Sequence, residues 1–336
     1  LQQPSAGRRD VPGFRREHIA ADQDAVIPPR IINYRFLGIA SVAGVIVLGS
    51  VYMLHAWQVQ RNAGSLFELG RQARSDGDLD KAREFLGRYV GLVPNDVNAL
   101  ADYGFLIDQT ASNGASRQVF MVFEEVLRND PTREDIRRRQ IEIAMELGRI
   151  PDALAHVKVL RQSHPSDGRL DYQAGCCLES MAEIDDAAEA WQTAIEHDPT
   201  QVDAYARLAR AWHEVLDRPE GAHRLLGSMI DNNSRSAAAW VARARFRQEA
   251  GLLDDAVADV EQALKLAPES RDAVMAAAEL AYARAADARA HGHTTLVGRI
   301  LAAACRLLED AIRRTPNDLD LRLQLVMLEA HFGSDD

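Results

Sequence analysis

Paired carboxylates are the residues of this 336-residue chain with the plainest capacity for chemistry. Asp185-Asp186 and Asp254-Asp255 could act as a general acid and a general base. Both pairs, however, stand at the same point of a repeating pattern, before a segment of helical periodicity, where carboxylates cap a helix and complement its dipole. The sequence has no Gly-rich phosphate loop, no Gly-x-Ser-x-Gly, no His-Glu-x-x-His and no dinucleotide fingerprint. We therefore predict a non-enzymatic protein with no catalytic residues and no cofactor.

Cysteine and histidine are also sparse in the patterns that redox or metal chemistry needs. Cys176, Cys177 and Cys305 are too few and too unevenly placed for a disulfide framework. The first two are adjacent rather than in a Cys-x-x-Cys pair, so packing is the simpler interpretation. His291 and His293 flank a glycine and could touch a metal ion, but no third ligand stands near them. We predict no metal site.

Any catalytic or binding residues would have to be positioned by secondary-structure elements, and the spacing of prolines indicates where these elements end. The prolines recur at intervals of 37, 34, 34, 69 and 48 residues, at Pro94, Pro131, Pro165, Pro199, Pro268 and Pro316. Regular spacing near 34 residues, with a few insertions, indicates a repeat protein.

Small side chains recur on the same spacing, in two columns. Twelve residues before each proline, or before Ser234 where one proline is replaced, stand Ala82, Val119, Ala153, Ala187, Ala222, Ala256 and Ala304. About twelve residues earlier again stand Gly70, Gly104, Ile141, Gly175, Ala209, Ala244 and Ala278. Helices approach closely only where side chains are short, so each unit is predicted to be a pair of antiparallel helices.

Turns and insertions complete the pattern. Glycines at Gly77, Gly148 and Gly251 interrupt the helical periodicity between the two predicted helices of a unit. The unit that begins at Val97 carries about three extra residues at 110–114, and the unit from Arg271 carries about fourteen, which should lengthen both of its helices around a turn at 291–294. A last periodic segment, 319–332, could cap the array.

This pattern resembles the tetratricopeptide repeat (TPR) family, most strongly over Gly168–Pro199 and Ala237–Pro268. In the second stretch the family's signature places are occupied by Trp240, Ala244, Gly251, Ala256, Val260, Ala263 and Pro268. Weaker copies run over Ala63–Pro94, Val97–Pro131, Glu134–Pro165, Val202–Ser234 and Arg271–Pro316. The resemblance implies an all-α, right-handed superhelical solenoid of about seven helix-turn-helix repeats over residues 63–316, followed by a capping helix and C-terminal tail over 317–336.

The resemblance also implies a concave groove, lined by the first helix of each unit, that binds protein or peptide partners. Carrying the family's groove positions onto this chain selects Phe67, Arg71, Phe105, Arg138, Glu142, Met145, Tyr172, Arg210, His213, Arg245, Gln248 and Tyr282. Chaperone-binding members use a Lys and an Asn at two neighbouring inner positions. The corresponding pairs here include Arg138/Glu142 and Val241/Arg245, so we do not expect binding of chaperone tails.

The second prominent feature is an apolar run over residues 36–57, FLGIASVAGVIVLGSVYMLHAW, long enough to cross a bilayer as a helix. A cleaved signal peptide is the alternative. Its apolar region would be shorter, however, and Leu54-His55-Ala56 is a poor cleavage site, so the run favours an uncleaved single-pass anchor. Ala40 and Gly44 form a small-x-x-x-small step that could support a weak homodimer.

Charge distinguishes the segments on either side of this run. Residues 1–35 are predicted to be a disordered basic tail, while residues 1–61 hold seven basic and four acidic residues of a chain with net charge −11. The remainder is therefore near −14, which argues against nucleic-acid binding. Three Arg residues lie within about twenty residues of each end of the span. Because the tail adds more, we predict a cytoplasmic N-terminus and repeats outside the cytoplasm, in the periplasm.

Together these features predict a membrane-anchored TPR scaffold that mediates protein–protein interactions. The resemblance to bacterial single-span repeat proteins implies a role in envelope assembly, secretion or quality control. Two alternatives remain open. The repeats could face the cytoplasm and recruit soluble enzymes to the membrane, or the chain, which begins with Leu1, could be a piece of a larger protein with a catalytic domain beyond Asp336.

Overall fold

The computed structural model describes residues 34–110 and 116–332, and throughout these residues the regular structure is helical. Residues 1–33 of the predicted disordered tail, 111–114 of the predicted extra residues and 333–336 of the predicted C-terminal tail therefore lie outside the described part. The helices are α1 (Tyr34–Ser75), α2 (Leu79–Leu92), α3 (Val97–Thr110), α4 (Ser116–Asn129), α5 (Glu134–Glu146), α6 (Ile150–Ser163), α7 (Gly168–Ser180), α8 (Ile184–His197), α9 (Val202–Glu214), α10 (Pro219–Asn232), α11 (Ala237–Glu249), α12 (Leu253–Leu266), α13 (Arg271–Ala290), α14 (Thr294–Arg314) and α15 (Leu319–Phe332).

The chain divides into two compact units at Arg61 and Asn62. In the first unit the described residues form the N-terminal part of α1. Residues Tyr34–Leu54 have a mean hydropathy of 2.1 and none of them is buried, so this helix is long and apolar enough to cross a membrane by length and composition. At its far end the Arg61 guanidinium lies 5.6 Å from the centre of the Trp57 ring.

The second unit, from Asn62 onward, consists of seven helix pairs followed by α15 among the described residues. In each pair an odd-numbered helix, here called the first helix, packs against the even-numbered second helix that follows it. Short connections between packed helices make each pair antiparallel. The predicted all-α array of helix-turn-helix repeats is confirmed.

Positive φ angles occur at the turns between first and second helices, where the sequence predicted glycine-mediated turns. Gly77, Gly148 and Gly251 have φ of 79°, 69° and 76°. In two other units the left-handed position is held by residues with a Cβ atom, Ala182 (φ 62°) and Asp217 (φ 49°). Asp is one of the few residues with a Cβ atom that tolerates this region, whereas Ala182 keeps the unit's geometry against the preference of the residue.

Both columns of small residues lie at the contacts between first and second helices. Ala82, Ala153, Ala187, Ala222 and Ala256 are completely buried. The other column brings the helix backbones close together: a Cβ added at Gly104 would lie 2.4 Å from the Phe123 ring, and one added at Gly175 would lie 2.4 Å from Trp191 Nε1. The spacing of small residues therefore correctly predicted where the helices meet.

The partner of each small residue on the second helix varies in a compensating way. Glycine stands opposite a large side chain, as in the contacts of Gly70 with Leu86 and Gly175 with Trp191. Ile141, the one large residue of its column, shares its core cluster with a smaller residue, Val157. The remaining pairs share clusters in the same way: Ala209 with Leu226, Ala244 with Val260 and Ala278 with Leu308. Each unit therefore fills its interior with a different combination of large and small side chains on its two helices.

The repeat-closing prolines and the paired carboxylates lie at opposite ends of the second helices. The prolines lie in the loop after a second helix, where each closes its unit. The residue before such a proline is not helical, as at Val93 (φ −129°, ψ 68°), because proline disfavours helical backbone at the preceding position. Asp185 and Asp186 lie inside the first turn of α8, and its N-cap, Glu183, makes no side-chain capping bond. These carboxylates therefore complement the helix dipole without capping the helix.

Buried polar groups join helices within and between units. His156 of α6 lies 3.0 Å from Glu124 Oε1 through Nε2 and 3.2 Å from the Arg137 guanidinium through Nδ1. Because Arg137 can only donate, Nδ1 accepts and Nε2 carries the proton, which defines a neutral imidazole. In the sixth unit the buried carboxylate of Asp259 on α12 accepts hydrogen bonds from Arg243 and Arg247 of α11.

The last helices depart from the regular unit. α13 and α14 have 20 and 21 residues, so both are lengthened around the turn at 291–293, as the fourteen extra residues predicted. α15 packs on α13 and α14 and buries Leu321 and Leu328. Its opposite side exposes large apolar residues, Leu319, Leu323, Val326 and Met327. α15 thus covers the end of the array but does not present a polar outer face.

From α9 onward, first helices lie nearer to one another than second helices do. α9, α11, α13 and α15 contact one another in series, whereas no two second helices make a comparable contact within the described residues. In a stack of helix pairs, the side on which successive helices approach more closely is the inner side. The inner face formed by the first helices is called the groove below.

Candidate partner-binding groove

A depression of about 520 Å³ lies in the groove where α5, α7 and the start of α9 meet, and it is called the central depression here. It is lined by Glu142, Met145, Glu146, Arg169, Tyr172, Gln173, Gln201 and Asp203. A smaller hollow of about 210 Å³ shares Glu142, Arg169 and Gln173 with it and adds Arg138 and Arg139. Four of the predicted groove residues are therefore brought together at one place: Arg138, Glu142, Met145 and Tyr172.

Carboxylates and guanidinium groups of neighbouring units are paired around this depression. Arg139 donates two hydrogen bonds to Asp108, of 2.7 and 2.9 Å, and a third of 2.7 Å to Glu142. Arg169 of the next unit donates to Glu142 at 2.6 Å. Arg138 forms an ion pair of 2.8 Å with Asp167. The charges at the rim thus bridge three successive units.

The predicted basic candidates farther along the array are paired in the same way. Arg210 lies 3.1 Å from Glu249, and Arg245 lies 3.3 Å from Glu279. Each pair joins the first helices of adjacent units. All four side chains are about 36–51% exposed, so each pair contributes at most about 1 kcal/mol to stability. Their larger consequence is that the guanidinium groups expected to meet a partner already have carboxylate neighbours.

Tyr172 supplies the main aromatic surface of the central depression. Its hydroxyl accepts a hydrogen bond of 3.3 Å from Arg207 Nε, and Arg207 also forms an ion pair with Glu179. Burial raises the pKa of Tyr172 to about 12, so the phenol stays protonated near neutral pH and can donate a hydrogen bond. Met145 lies beside it, and together they offer an apolar patch framed by charges.

The cysteines beside Tyr172 have the properties of packing residues. Cys176 is buried, and burial raises the pKa of its thiol. Burial also raises the pKa of Cys177 to about 11. Reactive thiols have a lowered pKa, so both side chains remain neutral near pH 7 and fill space.

The aromatic candidates of the first two units contribute to packing within their own unit. Phe67 lies with its ring centre 5.0 Å from that of Tyr89 on α2, and Phe105 lies 5.1 Å from Phe123 on α4. His213 contacts the edge of Phe246 at 5.3 Å, which joins α9 to α11. These side chains are partly buried, so the surface they leave for a partner is small.

The remaining predicted residues are spread over the ends of the groove. Arg71 lies on α1 beside Glu68, at 3.7 Å, and both side chains are exposed. Gln248 is half-buried on α11, and Tyr282 is half-buried against the cluster formed by α13, α14 and α15. The structure does not bring these three residues to the central depression.

Five lining residues of the central depression were not among the predicted site residues: Glu146, Arg169, Gln173, Gln201 and Asp203. Arg169 and Asp203 lie in the first turn of a first helix, and Gln201 precedes one. The family's groove positions fall in the middle of first helices, so residues at helix starts were passed over. The periodicity places them at the edge of the same face and would have been the signal.

A larger depression of about 810 Å³ lies outside the groove, between α8, the end of α9 and α10. Trp212 forms its apolar part, and Asp217, Arg218, Glu220 and Arg224 contribute charges of both signs.

No group of three or more His, Cys, Asp or Glu side chains in the described residues is arranged to hold a metal ion. The rings of His291 and His293 stack with their centres 6.5 Å apart.

Comparison with known proteins resolves the fold. No family model matches the chain, and no curated protein matches it in sequence. A tetratricopeptide repeat protein from Parabacteroides merdae ATCC 43184 is similar in structure, with a TM-score of 0.55 and 17% sequence identity over 80% of this chain and 99% of that one. The chain has the tetratricopeptide repeat fold.

Shorter TPR structures match about half of the chain. MamA from Desulfovibrio magneticus RS-1 is 18% identical, with a TM-score of 0.44 over 52% of this chain and 96% of that one. YrrB, described as a TPR protein with an unusual peptide-binding site, is 18% identical, with a TM-score of 0.46 over 57% of this chain and 97% of that one. The TPR fold is typical of protein–protein interaction scaffolds.

Proposed function

We propose that this chain is a membrane-anchored, non-enzymatic TPR scaffold that binds segments of partner proteins in its groove. The observation that carries the proposal is the central depression, where Met145 and Tyr172 offer apolar surface on an inner face built by three successive units. A concave site of this size accommodates a few side chains of a bound segment. The rest of the groove would add weaker contacts.

The charges around the depression favour a partner segment that carries basic residues next to an apolar one. Arg138, Arg139 and Arg169 already face carboxylates of the array. Glu146 and Asp203 are exposed at the rim, and the repeats carry excess negative charge. A cationic side chain would therefore gain attraction at the rim, whereas an acidic segment would have to displace an existing ion pair.

Membrane anchoring is proposed from the part of α1 that precedes Asn62. The helical segment Tyr34–Leu54 is strongly apolar after Arg35, and Trp57 with Arg61 follows it in the manner of interfacial anchors. We place the N-terminal tail in the cytoplasm and the repeats in the periplasm, where envelope assembly, secretion or quality control would supply the partners. The contact at Ala40 and Gly44 is proposed as a weak homodimer seam, because a Cβ added at Gly44 would have open space around it.

The balanced charge at the two ends of the span supports a second candidate function. Three Arg residues flank each end, so the positive-inside rule favours neither orientation strongly. With the opposite orientation, the same groove would recruit soluble proteins to the cytoplasmic face of the membrane.

Site-specific photo-crosslinking in native membranes tests the groove. A photoreactive amino acid at Gln173 in the central depression should give covalent partner adducts, whereas the same group at the exposed Lys158 of the second helix α6 should not. Adding Glu146→Lys and Asp203→Lys should reduce the adducts at Gln173 severalfold. Equal adducts at both positions, or none at Gln173, would contradict binding in the groove.

A reporter fusion tests the orientation. A phosphatase that is active only outside the cytoplasm, fused after Asp336, should be active, whereas a cytoplasm-active reporter at the same site should not. The reverse result would make cytoplasmic recruitment the leading function.

A further inference from the structure

The outward side of α15 carries an apolar seam that no described residue of the chain covers. Leu319, Leu323 and Val326 are 74, 59 and 56% exposed, and Ala330 is exposed one turn later. Their spacing of four, three and four residues is that of a coiled-coil seam. The opposite side of the helix is the one that buries Leu321 and Leu328 against α13 and α14. The seam is thus available while α15 stays packed in the array.

Charges along one flank of the seam are arranged in a self-complementary way. Arg322 and Glu329 lie seven residues apart, so they occupy the same position beside the seam, two turns from each other. Both are exposed, and neither forms an ion pair with a described residue. On the other flank Asp320 is already held by Arg271, at 2.5 Å. One flank is therefore satisfied within the chain and the other is open.

We propose that α15 is a dimerisation helix whose seam packs, antiparallel, against α15 of a second copy of this chain. When two copies of one helix pair antiparallel, equivalent flanking positions face each other across a twofold axis. Arg322 of one copy then meets Glu329 of the other, and Glu329 meets Arg322. Leu323 of each copy faces Val326 of the other, and Leu319 faces Ala330. In a parallel pair each flank would instead face the opposite flank of the other copy, so Arg322 would lie beside Met327 and would not meet Glu329.

This self-complementarity is what favours a second copy over an unrelated partner. An unrelated protein would need apolar surface but would have no reason to match opposite charges placed symmetrically about the centre of the seam. A small apolar contact of this kind gives a weak interface, and two chains anchored in one membrane would meet at high effective concentration.

Reversing charges in the full-length protein tests the proposal. In detergent, analytical ultracentrifugation should show a monomer–dimer equilibrium. Arg322→Glu alone or Glu329→Arg alone should raise the dimer Kd about tenfold, because two attractive pairs become two repulsive ones. The double variant Arg322→Glu/Glu329→Arg restores both pairs in reversed order, so its Kd should return to near the original value.

Further variants separate this interface from other contacts. Val326→Glu places a charge on the seam at a position that is already exposed, so it should abolish the dimer without unfolding the array, as checked by circular dichroism. All measurements are made in parallel with Gly44→Leu, which blocks the proposed contact in the membrane span. The proposal would be overturned if the wild-type protein were monomeric. It would also be overturned if Val326→Glu left the dimer Kd unchanged, or if the double reversal did not restore the dimer.

Discussion

At the scale of single residues, Ala182 is the clearest departure from the repeat pattern. It has φ 62° at a turn position where other units have glycine. A left-handed residue with a Cβ costs about 1–2 kcal/mol, partly offset by the extra freedom that glycine gives the unfolded chain. We expect Ala182→Gly to raise the free energy of unfolding by about 0.5–1 kcal/mol in urea titrations.

The equivalent turn of another unit supplies the control. Gly148 has φ 69° and open space around its α-carbon, so Gly148→Ala should lower the free energy of unfolding by a similar amount through backbone strain alone. Changes of the same sign in both variants would contradict the account of the turns.

His156 predicts how stability depends on pH. Burial lowers its pKa below 6.5, and this effect outweighs the opposing attraction of Glu124 and Asp152; the nearby Arg137 lowers the pKa further. Between the lowered pKa and 6.5 the unfolded chain binds more protons than the folded one, so stability is lost as the pH falls through this window.

Replacing the imidazole tests this assignment. His156→Gln should flatten the fall in the free energy of unfolding between pH 7 and pH 5, measured by urea titration at each pH. His164→Gln, at an exposed helix end, serves as the control. A slope unchanged by His156→Gln would show that other groups carry the effect.

Residue-level prediction from the sequence was successful for backbone and packing and weaker for polar contacts. Gly77, Gly148 and Gly251 were correctly placed at turns because few other residues tolerate positive φ. The sequence did not predict that Arg210 and Arg245 would face Glu249 and Glu279. Those pairs lie 39 and 34 residues apart, and the choice among many nearby carboxylates depends on how neighbouring units are rotated.

At the scale of helices, the contact between α7 and α8 depends on Gly175. Its α-carbon faces the Trp191 ring so closely that a methyl group would overlap it. We expect Gly175→Ala to lower the free energy of unfolding by about 1–3 kcal/mol, the usual cost of overpacking. In Gly227→Ala, in the open part of α10, the same change should be neutral or stabilising by up to about 1 kcal/mol.

A double-mutant cycle tests whether the two helices share volume. Trp191→Leu alone should be destabilising by leaving a cavity, and Gly175→Ala combined with Trp191→Leu should cost less than the sum of the single changes. Additive losses, measured by thermal or urea unfolding, would show that the two positions are independent.

Substitution of Asp259, at the contact between α11 and α12, should have a large effect on the free energy of unfolding. Its carboxylate is only 2% exposed and faces Arg243 and Arg247. Removing one partner from a buried ion pair typically costs about 3–5 kcal/mol, so Asp259→Ala should destabilise by this order. In the exposed pair of Glu84 and Arg88, Glu84→Gln should change the free energy of unfolding by less than about 1 kcal/mol. If Asp259→Ala and Glu84→Gln both changed the free energy of unfolding only slightly, the Asp259 carboxylate would have to be hydrated.

The sequence predicted most of the helix pairing, but it predicted only part of the candidate site. Apolar periodicity, glycine turns and prolines specify each pair locally, and even the long α13 and α14 follow from the added residues. The central depression arises between units, where the starts of α7 and α9 meet α5, so the periodicity of one unit assigns its lining residues to the inner face but does not predict the depression itself.

At the scale of the whole array, every substantial contact among the residues that the structure describes joins neighbouring helices or neighbouring units. Such an array loses structure locally, because each unit is stabilised only by the units beside it. We expect Gly175→Ala to speed amide hydrogen exchange in α7 and α8 and their neighbours while leaving α13 and α14 nearly unchanged. Uniform acceleration over all helices, measured by mass spectrometry, would indicate that the array unfolds as one cooperative block.

The combination of large and small residues inside each unit also limits how such an array can change. Gly175 lies against the large Trp191, whereas Ile141 shares its core cluster with the smaller Val157. Exchange of one helix between two units would create either a hole or a collision, whereas exchange of a complete pair would keep the packing inside that pair. The helix pair is therefore the smallest part of the array that can be moved with its interior intact. Duplication of whole pairs lets such a chain grow or shrink over evolutionary time, while each pair keeps its own inherited combination of large and small residues.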